Sequence, residues 1–241
     1  MQKQSRLLPF QAGLLLFSAT LSIGQMRPVG AHPYQENSVE SYRQEQAKWR
    51  DVIRRDPKNP EAYLQLAASL SSEAAEGYWC ETYAIAAYRQ AITAVPPNAE
   101  IHFQLAGSLL SDPVNCDEYS PTEIAARHKE ALIHLRKAIA IDSTKDDYYM
   151  TLGDALKNQG QSDAAMAAYK AAISLPFKPD QRSDSLANKS MRYLLIGDYL
   201  REQVVDLEAA AAYRKALAIA PDNPTLQKRL KEVELLLKLK G

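Results

Sequence analysis

The chain has 241 residues, of which 46% are hydrophobic and 24% are charged, and its 29 basic residues balance its 29 acidic residues. This is the composition of a soluble protein with enough residues for one extended domain or two small ones. The zero net charge gives no indication of binding to nucleic acid or to an anionic membrane surface. Few glycines and many Ala, Leu, Gln, Glu and Lys residues favour helix throughout.

Residues 1–31 are predicted to be a targeting segment. Lys3 and Arg6 precede a short apolar run, and small residues offer two cleavage sites, after Gly24 and after Ala31. The apolar run of about a dozen residues is shorter than the roughly 18 that suggest a membrane span. We therefore expect export, with cleavage, to a periplasm, an organelle lumen or the outside medium. An uncleaved anchor is the alternative, and this segment is the only membrane contact that we expect.

Residues 32–59 are predicted to form a linker and one helix from Glu40 to Arg55. Trp49 and Val52 lie on one side of this helix, and charged residues cover the other. An array of stacked helices needs a polar outer face at its ends. We interpret the helix as an N-terminal cap.

Residues 60–223 contain four copies of one pattern, which is clearest at 146–179. Apolar residues three, one and three apart define one side of a first helix, and Gly160 is suited to end it because Gly takes left-handed backbone. A small–large–small set, four and three apart, follows on a second helix. These positions are Tyr149, Leu152, Gly153 and Leu156, then Ala165, Tyr169 and Ala172.

The other three copies keep the same positions, without interruption at 190–223 and with insertions at 60–98 and 99–145. The last copy has Tyr193, Ile196, Gly197, Leu200, Ala209, Tyr213 and Ala216. The first two have Tyr63, Leu66, Ala67, Leu70, Ala84, Tyr88 and Ala91, and His102, Leu105, Ala106, Leu109, Ala131, Leu135 and Ala138. Because a single helix pair cannot bury its own apolar faces, the copies are expected to stack.

The pattern resembles the tetratricopeptide repeat, a helix–turn–helix unit of about 34 residues. The resemblance implies an all-α fold, an α-solenoid of about four such repeats between two capping helices. The C-terminal cap is residues 224–241, where lysines face outward and an apolar stripe faces inward. The members of that stripe are Leu226, Leu230, Val233 and Leu237.

Three stretches interrupt the repeat period, two of them inside repeats and one between the last two repeats. They are residues 71–83, 111–122 and 180–189. Ser120, Pro121 and Glu123 form the N-terminal signature of a helix, which predicts a long second helix from Pro121 to Ile141. In the third stretch, residues 183–184 offer a cap for a lengthened following helix.

The two cysteines, Cys80 and Cys116, lie in the first two insertions. Both insertions join a first helix to a second helix, so stacking brings them to the same edge of the array. In an oxidising compartment a disulfide persists, and we expect one here, contributing on the order of 3–4 kcal/mol through chain entropy. Two unpaired thiols are the alternative. The absence of a CxxC motif argues against a redox enzyme.

No set of residues is predicted to carry catalysis or to bind a metal or another cofactor. His128 and His134 are six apart on one helix, whereas metal ligands on a helix are usually three or four apart, and His102 occupies a packing position. No GxSxG, HExxH, Walker or dinucleotide-binding motif occurs. We therefore expect neither an enzyme nor a small-molecule substrate.

The resemblance implies a binding groove lined by the first helix of each repeat, with its second, fifth, ninth and twelfth positions facing the ligand. The nine residues that we select from these positions are Leu64, Phe103, Leu110, Met150, Asp154, Lys157, Leu194, Asp198 and Arg201. The fifth positions form an apolar floor, and the two aspartates lie near one end. An extended or helical segment with apolar anchors and a basic residue would complement this surface. Alternatively, some floor residues only pack the solenoid or are covered by the chain's own termini.

The sequence therefore predicts a non-enzymatic scaffold that holds a segment of another protein, as an assembly or maturation factor. The alternative is a structural protein that forms homo-oligomers through its insertions or its terminal helix. Nucleic acid is not an expected partner.

Overall fold

The computed structural model of the chain describes residues 36–75, 82–111, 120–176 and 183–240. Asn37–Gly241 forms one compact unit. The described residues form ten helices and no strand. They are α1 (Glu36–Arg55), α2 (Pro60–Ala75), α3 (Thr82–Ala94), α4 (Ala99–Leu110), α5 (Pro121–Ile141), α6 (Asp146–Asn158), α7 (Ser162–Ser174), α8 (Ser183–Glu202), α9 (Asp206–Ile219) and α10 (Pro224–Lys240).

The helices pair into four hairpins, α2–α3, α4–α5, α6–α7 and α8–α9, and each hairpin packs against the next. The helix α10 packs against α9 at the C-terminal end of the array. This arrangement confirms the predicted all-α solenoid. Pro60, Ala99 and Asp146, where the sequence predicts the first three repeats to start, each begin a helix.

The core is built from the residues of the repeat pattern. The small residues of the pattern are fully buried, so neighbouring helices approach closely over them, and the large ones fill the space between. The largest side chains with almost no exposure include Leu105, Leu135, Tyr169, Tyr193, Leu200 and Tyr213. The periodicity of the sequence therefore located most of the core, whereas Leu70, Tyr149 and Leu152 of the pattern are half-buried at its edge.

Local capping chemistry sets the boundaries of the long helix α5. The backbone N–H of Glu123 donates to Ser120 Oγ at 3.3 Å, and the backbone N–H of Ser120 donates to Glu123 Oε2 at 2.8 Å. This reciprocal pair satisfies two donors that the helix itself leaves unpaired. The prediction of a helix from Pro121 to Ile141 is confirmed.

The third and fourth hairpins close through short turns with the same hydrogen bonds. The N–H of Gln161 donates to the carbonyl of Leu156, and the N–H of Val205 donates to that of Leu200, both at 2.9 Å. Each turn needs one residue with left-handed backbone. Gly160 supplies it in the third repeat with φ +72, and Val204 supplies it in the fourth with φ +60. A β-branched residue is strained in this conformation.

The terminal helix α10 has the predicted orientation. Leu226 and Val233 are buried, and Leu230 and Leu237 pack partly buried against the core. The targeting segment at residues 1–31 and the Cys80–Cys116 disulfide lie outside the described residues. Within the described part of the chain, no helix has the length and apolar character needed to cross a bilayer.

Candidate partner-binding groove

The apolar residues selected for the groove differ in accessibility. Leu64, Phe103, Leu110 and Leu194 are half-buried and pack at the edge of the core. Met150, in contrast, has no exposed surface and belongs to the core itself. Met150 must therefore be removed from the predicted floor, because its side chain is enclosed between α6 and its neighbours.

The two selected aspartates are already engaged within the chain. Asp154 accepts a hydrogen bond from the Tyr169 hydroxyl at 2.8 Å and another from Arg192 at 3.0 Å. In the next repeat, Asp198 accepts from the hydroxyl of its own tyrosine. The Tyr213 hydroxyl lies 2.6 Å from Asp198 Oδ1, and Arg229 Nε lies 3.3 Å from the same oxygen. We call the two sets the Tyr–Asp–Arg clusters.

The electrostatics of the clusters follow from burial and from the aspartate charge. Burial, together with the charge and hydrogen bond of Asp154, raises the pKa of Tyr169. Burial and the hydrogen bond to Asp198 raise the pKa of Tyr213 in the same way. Each tyrosine therefore stays a hydrogen-bond donor, and the arginine beside each aspartate compensates its charge. The partner segment therefore does not need the basic residue that the sequence predicted to pair with these aspartates.

The two basic groove residues also have partners in the chain. The Nζ of Lys157 lies 5.4 Å from the centre of the Tyr199 ring, in cation–π geometry. Arg201 pairs with Glu232 of α10 at 2.9 Å. These contacts cross from one repeat to the next, so they hold the first helices and α10 together along the groove.

A buried ion pair fixes α6 against α8. Lys189 Nζ lies 2.7 Å from Asp146 Oδ1, and the Tyr193 hydroxyl donates to Asp146 Oδ2 at 2.5 Å. Burial acts to raise the pKa of Asp146, but the hydrogen bonds from Lys189 and Tyr193 outweigh it and hold the pKa below its usual value. Burial acts to lower the pKa of Lys189, but the hydrogen bond to Asp146 and the charges of Asp147 and Asp146 together outweigh it and raise the pKa of the ammonium group. The repeat pattern missed this pair because Lys189 comes from the insertion before the fourth repeat.

The structure also brings together two histidines that the sequence analysis kept apart. The Nδ1 atoms of His102 and His134 are 2.9 Å apart, and the rings stack with centroids 5.1 Å apart. Burial, and then the charges of His134 and Lys137, lowers the pKa of His102 to about 4. Among the described residues no group of three or more His, Cys, Asp or Glu side chains could hold a metal ion. The pair joins α4 and α5 through a hydrogen bond between the two rings and through their stacking.

The accessible apolar surface of the first helices lies on α8. Met191 is 53% exposed and Leu195 is 58% exposed, with the half-buried Leu194 beside them. Met191 and Leu195 are four residues apart, so they lie on the same side of the helix. Sequence reasoning missed Leu195 because it stands at the sixth position of the repeat predicted at 190–223, outside the four positions that the repeat family uses.

The four stacked hairpins define an α-solenoid of helix–turn–helix repeats. A sequence model of the tetratricopeptide repeat matches residues 146–179, which form the third hairpin. The fold of the described residues is similar to that of solved tetratricopeptide-repeat proteins. This fold is generally that of a non-catalytic scaffold for protein–protein interaction.

Three solved structures illustrate the likeness of the fold. MamA is 20% identical, with 78% of this chain and 93% of MamA covered and a TM-score of 0.51. A thermophilic tetratricopeptide-repeat protein of Thermus thermophilus is 17% identical, with 84% and 95% covered and a TM-score of 0.52. The Cut9–Hcn1 hetero-tetramer of the APC/C contains a chain that is 17% identical, with 84% and 35% covered and a TM-score of 0.51. No curated protein matches the sequence.

Proposed function

We propose that the protein is an exported, non-enzymatic scaffold that binds an extended or helical segment of another protein, as an assembly or maturation factor. The binding surface is the groove formed by α2, α4, α6 and α8. The observation that carries this proposal is the exposed apolar surface of α8, where Met191 and Leu195 face solvent beside Leu194. Exposed apolar side chains in a concave surface are typical anchors for a partner segment.

The groove suits a ligand with apolar anchors and few charges. Asp154 and Asp198 are compensated by arginines, and Arg201 is compensated by Glu232. Binding energy would then come from apolar side chains that enter the space between the first helices, as at the centre of other interfaces. The polar residues would serve to position the ligand.

The contacts between repeats support a groove that is formed before the partner arrives. The Lys189–Asp146 pair and the bridge from Arg192 to Asp154 tie α8 to α6. A preformed surface binds more tightly than a mobile one because less ordering free energy is lost on association.

The groove is tested with Met191→Asp combined with Leu195→Asp. Both side chains are exposed, so we expect unchanged helicity and thermal stability, whereas an aspartate at the enclosed Met150 would bury a charge and unfold the chain. Partners that the wild type captures from its native compartment should be retained at least about tenfold less by the variant, the equivalent of about 1.4 kcal/mol.

The matched control is Ile133→Asp with Ile141→Asp, two exposed apolar residues of α5 outside the groove. The control should capture the same partners as the wild type. Equal capture by the groove variant and the wild type would show that the groove is not the binding surface.

Export is tested on the protein isolated from cells. We expect intact mass measurement to give a chain that begins at Gln25 or at His32, following cleavage after Gly24 or Ala31. A chain that retains residues 1–31 and stays in the membrane fraction would support the anchor instead.

A further inference from the structure

The terminal helix α10 carries two stripes of side chains on opposite sides. The inward stripe packs on the core, and every position of the outward stripe is exposed. The outward residues follow one another at the three- and four-residue spacing of a single helix face. They are Lys228, Lys231, Leu235, Lys238 and Leu239, which we call the terminal face. Leu235 is 59% exposed and Leu239 is 76% exposed.

The terminal face has an excess of positive charge. The carboxylates of α10 are engaged elsewhere, Glu232 with Arg201 at 2.9 Å and Glu234 with Arg214 at 2.6 Å. None of the ion pairs among the described residues involves the lysines of the terminal face. Three uncompensated ammonium groups therefore surround the two leucines.

The N-terminus of α10 is built like that of a first helix of a repeat. The side chain of Asn223 accepts from the N–H of Leu226 at 3.2 Å, as Asn59 does at the start of α2 and Asn98 does at the start of α4. Each of α2, α4, α6 and α8 packs against the second helix of its own repeat. Within the described residues, α10 has no such second helix.

The residue at the place of closest helix approach distinguishes α10 from the other first helices. Lys231 stands seven residues after Pro224, the first residue of α10, as Gly153 stands seven residues after the first residue of α6. Gly197 holds the same position in the fourth repeat, seven residues after the predicted repeat start at residue 190. Those glycines make room for the ring of a tyrosine from the second helix. The side chain of Lys231 fills the space that a ring would need against the helix backbone, and its ammonium group can pair with a carboxylate. The residues that suit this face are therefore acidic and apolar.

Two other occupants fit less well. A second copy packed face to face would place three lysines opposite three lysines, which is repulsive. A lipid bilayer would receive only two leucines, because the broader apolar stripe of α10 is buried in the core. We propose that the terminal face binds an acidic amphipathic helix of another protein, with leucine-like anchors against Leu235 and Leu239 and carboxylates against the lysines.

The geometry sets the size of the partner helix. Lys228 and Lys238 are ten residues apart, which is about 15 Å along a helix at about 1.5 Å per residue. A partner helix of about three turns covers this length. Its carboxylates should recur at three- and four-residue spacing beside its apolar stripe.

The proposal is tested by selecting displayed helices on the full chain. The library varies Glu, Lys and Gln at the flanking positions, and Leu, Ala and Ser at the anchor positions of a helical peptide. We expect enriched peptides with Glu flanks and Leu anchors. They should bind at least about tenfold more weakly when NaCl is raised from about 0.05 M to about 0.5 M, because salt screens exposed charge pairs. Enrichment of Lys-flanked peptides, or no enrichment, would overturn the proposal.

Variants locate the binding surface. Lys228→Glu, Lys231→Glu and Lys238→Glu together should weaken an enriched peptide at least about tenfold, as should Leu235→Ser with Leu239→Ser. If the three glutamates disturb α10, the same three lysines are replaced by Gln, which removes their charge without reversing it, and binding should be weakened as well. The control triple Lys58→Glu, Lys129→Glu and Lys145→Glu makes the same charge change at exposed positions elsewhere and should bind normally. Loss of binding in the control, or retention in the terminal-face variants, would contradict the assignment.

Three further experiments distinguish binding of an acidic helix at the terminal face from binding at the groove, from membrane binding and from self-association. The groove variant Met191→Asp with Leu195→Asp should bind the enriched peptides normally, so the two proposals fail independently. Co-sedimentation with phosphatidylglycerol vesicles that depends on the three lysines would assign the face to a membrane. A concentration-dependent dimer that disappears in the Leu235→Ser, Leu239→Ser variant would assign it to self-association. Either result would replace the proposal.

Discussion

The first two repeats and the last two repeats use one fold with different chemistry between their helices. In the last two, turns at residues 159–161 and 203–205 join the helices, and Gly153 and Gly197 let a tyrosine ring pack directly on the first helix. The first two have longer connections and an alanine at the same position, Ala67 and Ala106. A Cβ there excludes the same close approach. The register of the repeat determines which residues of the two helices face each other, whereas the size of their side chains determines how closely the two helices approach.

The polar contacts differ in the same way. Close approach places the hydroxyls of Tyr169 and Tyr213 within hydrogen-bond distance of the aspartate that follows each glycine. The second repeat has a leucine in place of the tyrosine and instead pairs His102 with His134. The helices of the last two repeats are therefore joined by the Tyr–Asp–Arg clusters, whereas those of the second repeat are joined by a histidine pair.

The largest expected effect is that of Gly197→Ala. Three ring atoms of Tyr213 lie within 2.9 Å of the place where the new Cβ would stand, and the ring is fully buried. Overpacking of this kind costs about 1–3 kcal/mol or more, less about 1 kcal/mol gained in helix propensity. We expect urea unfolding to show a loss of about 2 kcal/mol. Adding Tyr213→Leu, which imitates the second repeat, should remove most of this penalty.

The control for this change is Ala106→Gly in the second repeat. It should cost about 1 kcal/mol through helix propensity alone, with no coupling to a change at Leu135. If Gly197→Ala left the protein as stable as the wild type, the close approach would not be a property of the last two repeats.

The next effect is the pH dependence that the histidine pair contributes to stability. The pKa of His102 is about 4 in the folded chain and about 6.5 when unfolded. Between these values the unfolded chain binds more protons, so stability present above about pH 6.5 falls as the pH drops through about 4. Because solvent screening reduces the full effect of the pKa difference, we expect a loss on the order of 1–2 kcal/mol across this window. Thermal unfolding between about pH 7 and about pH 4 measures it.

The matched variant for the pH dependence is His102→Phe with His134→Leu, which removes both titrating rings. Its stability should change much less between about pH 6.5 and about pH 4. An identical pH dependence in wild type and variant would attribute the effect to other groups.

The smallest expected change in stability comes from the turn of the fourth repeat, which we compare with the turn of the third. Val204 is 70% exposed and holds the left-handed conformation that Gly160 holds in the third repeat. Val204→Gly should therefore stabilise the chain by about 1 kcal/mol, which corresponds to a rise of about 2–4 °C in Tm. Gln203→Gly, at the preceding position without left-handed backbone, should give no gain. A lower Tm for Val204→Gly would show that the turn is not strained.

Much of the fold followed from local sequence signals. Alternation of small and large apolar residues located the core, and the Ser120–Glu123 capping signature fixed the start of α5. Such signals act within one or two helical turns, so a sequence displays them directly. The pattern also assigned the inward face of α10 correctly.

The candidate site was harder to predict because accessibility depends on neighbouring repeats. Positions taken from the repeat family placed Met150 on the groove floor, whereas packing encloses it. The same positions identified Asp154 and Asp198 without revealing the arginines that compensate them, since Arg192 and Arg229 come from the next first helix or its equivalent. Leu195 lies outside the family positions and is nevertheless exposed.

The sequence by itself determined the repeat, its register, the helix ends and the faces that turn inward. These properties depend on hydrophobic periodicity and local capping, which need no knowledge of distant residues. Only the tertiary structure decided which charges are compensated, which histidines meet and which leucines remain exposed. Those outcomes depend on the distance between helices that are 30 or more residues apart, as for His102 and His134 or Asp146 and Lys189. That distance is set by the packing of side chains from several repeats at once.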